Sequence, residues 1–394
     1  MEKIRAVNVT KVFASHPQRA LTLLDQGMSK DEIFSQTGQA VGLVKISFEV
    51  HEGEILVVMG LSGSGKSTLI RCINRLVEPS QGQIFIDGID ITSLDHHALL
   101  ELRRRKFGMV FQHFALFPQR NVIHNVEYGL EIQQVDKLLR QDKARQALKL
   151  VGLEGWEDAM PNQLSGGMQQ RVGLARALAV DPDILLMDEA FSALDPLIRG
   201  DMQTELMSLQ ARMKKTILFI THDLDEALRI GNRVVLMKDG QVVQIGTPEE
   251  ILTTPANDYV KRFVENVDKS KILTARSILI ETNLSAYLED EPAHVLSKMQ
   301  TNKVASLFVV NRDNSLLGIV LAEVTRQAVE RGDKTIANII ESQVPTVTAT
   351  APLTQLIRIL TKWPWPIPVV DPENKLQGMI LSNRVLMALT KGGE

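Results

Sequence analysis

One stretch of sequence, residues 55–68, constrains this chain more than any other. The apolar run Ile55-Leu-Val-Val-Met59 leads into Gly60-Leu-Ser-Gly-Ser-Gly-Lys-Ser67, and a helical pattern opens at Thr68. Strand, glycine loop and helix in that order form a phosphate cradle. The glycines let successive backbone N–H groups turn inward around β- and γ-phosphates, and the helix start adds partial positive charge. In such a cradle the lysine pairs with the β/γ-phosphates and the following serine ligates Mg²⁺. Gly60, Ser62, Gly63, Ser64, Gly65, Lys66, Ser67 and Thr68 are the candidate nucleotide-binding residues.

The flanking sequence predicts an α/β domain. Apolar runs ILLMD (184–188), TILFIT (216–221) and RVVLM (233–237) alternate with helical segments, as expected of a sheet buried on both faces. The first run ends in Asp188-Glu189, which places two carboxylates at the edge where α/β sheets bind ligands. Asp188 is the candidate Mg²⁺-shell residue and Glu189 the candidate general base for an attacking water. Residues 4–13 read as a strand, followed by a helical insert at 14–42. Within it, Ser29 and Glu32 have capping-box spacing and Gly38 suits a helix stop. Residues 90–165 read as a separate helical lobe.

The C-terminal third follows another plan. Val310–Leu321 and Val370–Leu381 align without a gap at an offset of 60 residues (370 − 310), sharing Val310/Val370, Asn314/Asn374, Leu316/Leu376, Gly318/Gly378 and Leu321/Leu381. Strand, acidic turn, strand and helix, occurring twice, mark an internal duplication. The expected division is therefore residues 1–268 and 271–394, the latter split into repeats at 271–331 and 332–394.

Composition excludes several classes. Lys+Arg number 44 against 47 Asp+Glu, a net charge of −3, which argues against a dedicated nucleic-acid binder. The lone Cys72 excludes an internal disulfide and fits a reducing cytosol. No apolar run approaches the ~18–20 residues that span a bilayer, and the N-terminus lacks an apolar signal core. The expectation is a soluble, cytosolic chain whose membrane role comes through a partner.

Leu164-Ser-Gly-Gly-Met-Gln-Gln170 opens a second glycine-flanked helix, so Ser165, Gly166 and Gly167 form another anion-binding start. One chain already has its cradle, so the second suits another molecule's nucleotide. Taken in order, the cradle, Gln112, LSGGMQQ, the carboxylates at 188–189, Ser192-Ala-Leu-Asp195 and His222 resemble an ABC-type ATPase domain. The resemblance implies ATP and Mg²⁺ as ligands and a head-to-tail homodimer in which each signature closes on the partner's ATP. It also implies a Mg²⁺-ligating, state-reporting role for Gln112, a γ-phosphate switch role for His222, an interface role for Asp195 and adenine stacking on Phe13. Tyrosine is common at the Phe13 position.

The whole chain resembles the ATPase subunits of bacterial importers for glycine betaine, proline betaine and related quaternary amines. The segments carrying this are the insert HPQRALTLLDQGMSKDEIFSQTG, INRLVEPSQGQIFIDG, MDEAFSALDPLIR, GTPEEILTTPANDYV and the C-terminal repeat, which looks like a tandem CBS pair. The implied fold is thus an α/β ABC ATPase with a helical lobe, followed by an α+β tandem CBS pair. Implied partners are a second copy, permease subunits and, indirectly, a solute-binding protein. The chain would sit at the cytoplasmic face of the bacterial cell membrane. The alternatives are an importer ATPase for another amine or amino acid, or a non-transport ABC ATPase.

Neither Leu321-Ala-Glu-Val324 nor Leu381-Ser-Asn-Arg384 completes the Ser/Thr-x-x-Asp nucleotide pattern of CBS modules. Anionic lipid or a cyclic dinucleotide therefore remain the candidate ligands there. Residues 113–129, with Phe114, Phe117 and Pro118, read as exposed aromatics at a permease groove. Arg103–Lys106 reads as a solvated helix face, Trp363 and Trp365 as local packing, and His96 and His97 as no metal site.

Overall fold

The computed structural model describes residues 1–265 and 267–390 and divides into two compact units, Met1–Val264 and Glu265–Glu394. The break falls a few residues ahead of the expected 268/271 boundary. The last four residues of the expected second repeat, 391–394, lie outside the described residues.

In the first unit, β1 (Glu2–Phe13) is followed by helices α1 (Gln18–Asp25) and α2 (Lys30–Thr37) and by β2 (Ala40–His51). The insert is an excursion from a hairpin: β1 and β2 pair antiparallel with Phe13 opposite Ala40. Ser29 and Glu32 form the expected reciprocal capping box and Gly38 ends α2 at φ +68°, a cap that contributes about 1 kcal/mol. The insert buries Ala20, Leu21 and Ile33 against Val12 and Val41.

Next come β3 (Ile55–Met59), α3 (Lys66–Ile73), β4 (Gln81–Ile86), β5 (Ile89–Asp90), α4 (His96–Lys106) and β6 (Phe107–Phe111). Three helices, α5 (Val122–Val126), α6 (Tyr128–Ile132) and α7 (Lys137–Leu150), precede α8 (Gly166–Ala179). The unit continues through β7 (Ile184–Asp188), α9 (Pro196–Met213), β8 (Thr216–Thr221), α10 (Leu224–Ile230), β9 (Arg233–Lys238) and β10 (Gln241–Gly246). Two short helices, α11 (Pro248–Thr253) and α12 (Asp258–Phe263), complete it.

The six-stranded sheet has the order β10-β9-β3-β8-β7-β6, parallel except for β10. An antiparallel sheet, β2-β1-β4-β5, faces it. Helix α3 packs between them, its Leu69, Ile70, Cys72 and Ile73 joining Ile4, Leu43 and Ile84 on one side to Leu56, Val58 and Leu218 on the other. Burial pushes the Cys72 thiol up to about 12, which leaves it an inert core group.

Two expectations need correction. The segment 90–165 is not all helical lobe, because β6 is an edge strand of the six-stranded sheet paired with β7. The lobe is α5–α7 packed on α8. Nor is Arg103–Lys106 wholly a solvated face: Arg105 is exposed, but its neighbours are engaged. Arg103 Nε donates to Asn74 O at 2.8 Å, beyond the end of α3, and Lys106 Nζ bonds Asp183 at 2.6 Å and Asp87 at 2.9 Å. Lys3 bonds the same two aspartates, so the four charges form a ring tying β1 to the edge of the parallel sheet. A charge-assisted bond to a backbone acceptor contributes about 1.5–3 kcal/mol, enough to fix a helix that charge counting leaves in water.

The second unit carries α13 (Ala275–Ile278), β11 (Ser285–Ala286), α14 (Pro292–Asn302), β12 (Ser306–Val310), β13 (Leu316–Leu321) and α15 (Ala322–Arg331). It then repeats with α16 (Leu353–Leu360), β14 (Ile367–Val370), β15 (Leu376–Ile380) and α17 (Ser382–Thr390). The duplicated turns meet reciprocally. Asn314 Nδ2 donates to Leu376 O at 2.8 Å and Asn374 Nδ2 to Leu316 O at 3.0 Å, both asparagines being left-handed at φ +68° and +62°. Each repeat also lends an edge to the other: Ile280 bridges Met379, and Glu341 bridges Ile319. Trp363 and Trp365 pack on Phe308, Val310 and Leu376, which is the local packing expected of them.

Candidate functional site

Four adjacent parallel strands end together. In register, Met59 lies beside Thr221, Ile220 beside Asp188, and Asp188 beside Phe111. The next residues of each strand are the glycine loop, His222, Glu189 and Gln112, so residues scattered over 160 positions share one edge. This is where open α/β sheets collect ligands.

The loop needs its glycines. Gly65 caps α3 at φ +97°, and a Cβ there would stand 2.7 Å from Gly42 O. The loop borders a cavity of about 570 Å³ lined by Gly42, Leu61, Lys66, Thr68, Glu189 and His222, with Ser62, Gly63, Gly65 and Ser67 completing the cradle wall. Lys66 is buried and its Nζ donates to Gly60 O at 2.8 Å and Leu61 O at 3.2 Å. Burial lowers its pKa, while Glu189 and Asp188 push the other way. Ser64 Oγ, under the loop, is buried without a hydrogen-bond partner among the described residues.

Ser67 Oγ donates to Asp188 Oδ1 at 3.1 Å. Burial raises the Asp188 pKa, partly offset by that hydrogen bond and by Arg71. A buried carboxylate beside a serine hydroxyl is a pair of hard oxygen donors that fits Mg²⁺. Among the described residues no group of three or more His, Cys, Asp or Glu side chains could hold a metal alone, so the remaining ligands would be phosphate and water.

Glu189 stands in the left-handed region at φ +48°, its backbone N–H held by Ile220 O at 3.0 Å. Its Oε2 meets Gln112 Nε2 at 3.3 Å and His222 Nδ1 at 3.2 Å. Neither Gln112 nor His222 was marked by any local motif; strand register alone brings them to the carboxylate.

Phe13 is half-exposed, and the hairpin return sets its ring edge together with Thr68 against Gly42, beside the cradle. The 14–42 insert thus does not carry Phe13 away from the cavity. Gly42 itself was not anticipated: a lone glycine in a strand carries no motif.

The remaining residues do not reach the cavity. Ser165 caps α8, accepting from Met168 N at 3.3 Å, and both Ser165 and Gly166 are exposed. Gly167 packs on Ile198, and Asp195 caps α9 by accepting from Leu197 N and Ile198 N at 3.1 Å each. The 113–129 segment needs correction as well. Phe114 and Phe117 are only partly exposed: Phe117 stacks on Tyr128 at 4.6 Å, and Arg176 holds Phe114 O and Ala115 O. The buried Asn125 of α5 donates to Phe117 O, Arg120 O and Asn121 O, so the segment is a loop braced on the helix that follows it.

A phosphate cradle, a carboxylate pair at the sheet edge and a separate glycine-flanked signature define an ATP-binding cassette. Comparison with known proteins agrees. A family profile described as ABC transporter matches residues 43–192, and one for the CBS domain matches 336–391. The chain is 51% identical over 390 residues to the glycine betaine/carnitine transport ATP-binding protein of Listeria monocytogenes, covering 99% of this chain and 98% of that one. Identity is 51% to the glycine betaine transport ATP-binding protein of Bacillus subtilis, covering 100% and 93%. It is 45% to the glycine betaine/proline betaine transport system ATP-binding protein of Salmonella typhimurium, covering 99% and 98%. A solved bacterial ABC transporter cassette, described as dimeric, superposes with a TM-score of 0.53 at 34% identity over 62% of this chain and 98% of that one. The chain belongs to the ABC transporter ATP-binding proteins, in the branch those three relatives represent.

Proposed function

We propose that this chain binds and hydrolyses ATP to power uptake of an osmoprotectant, glycine betaine or proline betaine, through a membrane permease. The observation that carries the reading is the extent of the similarity: betaine-transport relatives match from the N-terminal insert through the C-terminal unit, not over 43–192 alone. No helix among the described residues is long and apolar enough to cross a membrane, so the path for solute lies in a partner.

The cradle supports a defined division of labour. Lys66 exchanges its two loop carbonyls for β/γ-phosphate oxygens, so ATP replaces an internal partner of the cation. Mg²⁺, held by Ser67 and Asp188 with Gln112, would neutralise phosphate charge. Glu189 takes the proton of the attacking water as its oxygen bonds to the γ-phosphorus and the bond to the β–γ bridging oxygen breaks. His222 and Gln112 hold that carboxylate from two sides. Phe13 offers the half-exposed ring for adenine.

The exposed Ser165 and Gly166 suit the ATP of a second copy. A related cassette is described as dimeric in a post-hydrolysis state bound to ADP and Pi. In such a homodimer Asp195 would lie at the interface. The braced 113–129 segment is the proposed permease contact, at the cytoplasmic face of the membrane, with a solute-binding protein engaged only indirectly. The C-terminal unit is the proposed regulatory module.

The test is ATP-dependent uptake of labelled glycine betaine by this chain reconstituted with its co-purifying permease. Uptake confined to polyamines or amino acids would overturn the solute assignment. A second reading comes from a relative named for trimethylamine N-oxide transport, 46% identical over 80% of this chain. Labelled trimethylamine N-oxide and choline therefore belong in the same assay.

A further inference from the structure

Lys30 belongs to the N-terminal insert, which the chemistry above does not use. Its Nζ donates to Gly42 O at 3.2 Å. That carbonyl is a junction of four segments. It lies beside Gly65 of the cradle, where a Cβ would come within 2.7 Å, and beside Gly240 in the β9–β10 turn, which stands at φ +72° and where a Cβ would come within 2.5 Å of the same carbonyl. Gly240 N in turn donates to Ser64 O in the cradle at 3.1 Å, and Val44 N to Gly240 O at 2.8 Å. The Phe13 ring and Thr68 both crowd the open side of Gly42, where a Cβ would stand 2.8 Å from Phe13 Cε2 and 3.3 Å from Thr68 Cγ2, and Gly42 lines the nucleotide cavity.

We infer that Lys30 is a positioning residue for nucleotide binding: by holding Gly42 O it sets the spacing between the Phe13 ring and the phosphate cradle. The insert then acts as a strap across the base side of the site, and the lysine touches neither phosphate nor base. Lys30 is half-buried, with Asp239 and Asp31 the nearby carboxylates that favour its charged form against the burial that opposes it. A cation in this setting fixes a strand carbonyl that a neutral side chain would leave free to shift. The inference rests on Phe13 being the base platform, so the experiment separates the two.

In the full-length chain, calorimetry would measure ATP and inorganic tripolyphosphate binding to wild type, Lys30→Met, Lys30→Arg and Phe13→Ala, alongside KM and kcat for hydrolysis. Lys30→Met is expected to weaken ATP and raise its KM by roughly 3- to 10-fold, less than the roughly 10- to 150-fold of a whole charge-assisted bond because Lys30 acts on the ligand only through Gly42. kcat should stay within about twofold and tripolyphosphate affinity should be unchanged, because only ligands with a base feel the spacing; Lys30→Arg should restore most of the loss. Equal weakening of ATP and tripolyphosphate would make Lys30 a general fold contact and overturn the inference. So would an unchanged Lys30→Met beside a weakened Phe13→Ala, which would leave the platform reading intact. If Phe13→Ala itself spares ATP, the platform reading falls and the inference with it.

Discussion

Two helix starts in one chain share the same ingredients and differ in surroundings. At α3, glycines and Lys66 face a cavity that the chain's own Glu189 and His222 also line. At α8, Ser165 and Gly166 are exposed, and Ser165 serves only its own helix. Sequence treats both as anion sites on equal footing. In the structure one faces a cavity lined by Glu189 and His222 and the other stands exposed, which is the arrangement expected if the second serves the nucleotide of another molecule.

The sharpest way to break that comparison is at Glu189. Glu189→Gln should keep ATP binding while hydrolysis falls roughly 10²- to 10⁴-fold. Lys66→Ala should instead lose nucleotide binding itself, measured by direct titration. Near-normal turnover in Glu189→Gln would strip α3 of its claimed partner.

The bare site is tested by mixing. A heterodimer of Lys66→Ala and Ser165→Arg chains gathers both lesions into one composite site and leaves the other whole. Activity in the mixture that neither mutant dimer shows, at up to about half the wild-type rate, would support completion in trans. Confirmed heterodimers with none would refute it or show that the two sites do not act independently.

A smaller effect sharpens the furnished site. The raised Asp188 pKa means the folded chain holds a proton that the unfolded chain, titrating near 3.9, releases. The ionised form therefore costs stability above the native pKa, and the cost is relieved as pH falls through it toward 3.9. Asp188→Asn keeps an acceptor for Ser67 and removes the buried charge. Thermal melting of the nucleotide-free variant at neutral pH should rise by roughly 2–4 °C, the equivalent of about 1 kcal/mol, while hydrolysis is lost. A lower melting temperature would mean the carboxylate is needed for the fold.

The smallest basal change is expected from removing residues after about 270. ATP hydrolysis should persist and its dependence on ionic strength flatten, since the Debye length falls from ~10 Å at 0.1 M to ~3 Å at 1 M and frees any charge-docked module. An unchanged salt profile in reconstituted transport would leave the repeat a structural or dimerising role.

Legibility in the sequence followed the range of the interaction. The cradle was readable because its strand, loop and helix are contiguous, and the Ser29 cap because three residues suffice. Gln112 and His222 carry no local pattern, so only resemblance marked them and only strand register joins them to Glu189. Arg103 and Lys106 were misplaced because their acceptors, Asn74 O and the Asp87/Asp183 pair, come from distant segments. Phe117 was misjudged for the same reason: its cover, Tyr128, lies a turn and a helix away. The duplication was visible, but the exchange of edges between repeats was not, because alignment matches like with like whereas Ile280 pairs with Met379.

That exchange has a consequence for synthesis. As the chain leaves the ribosome, β12 and β13 emerge 60 residues before Asn374, the partner of their turn. At ~5–20 residues per second this leaves them incomplete for about 3–12 s. During that interval the turn later held by Asn374 is open to other chains, whereas the edge at Ile319 waits only the 22 residues (341 − 319) until Glu341 emerges. The reciprocal asparagines thus tie the maturation of the C-terminal unit to the turn of its second hairpin, and a message truncated before it would release a half that has nothing to close against.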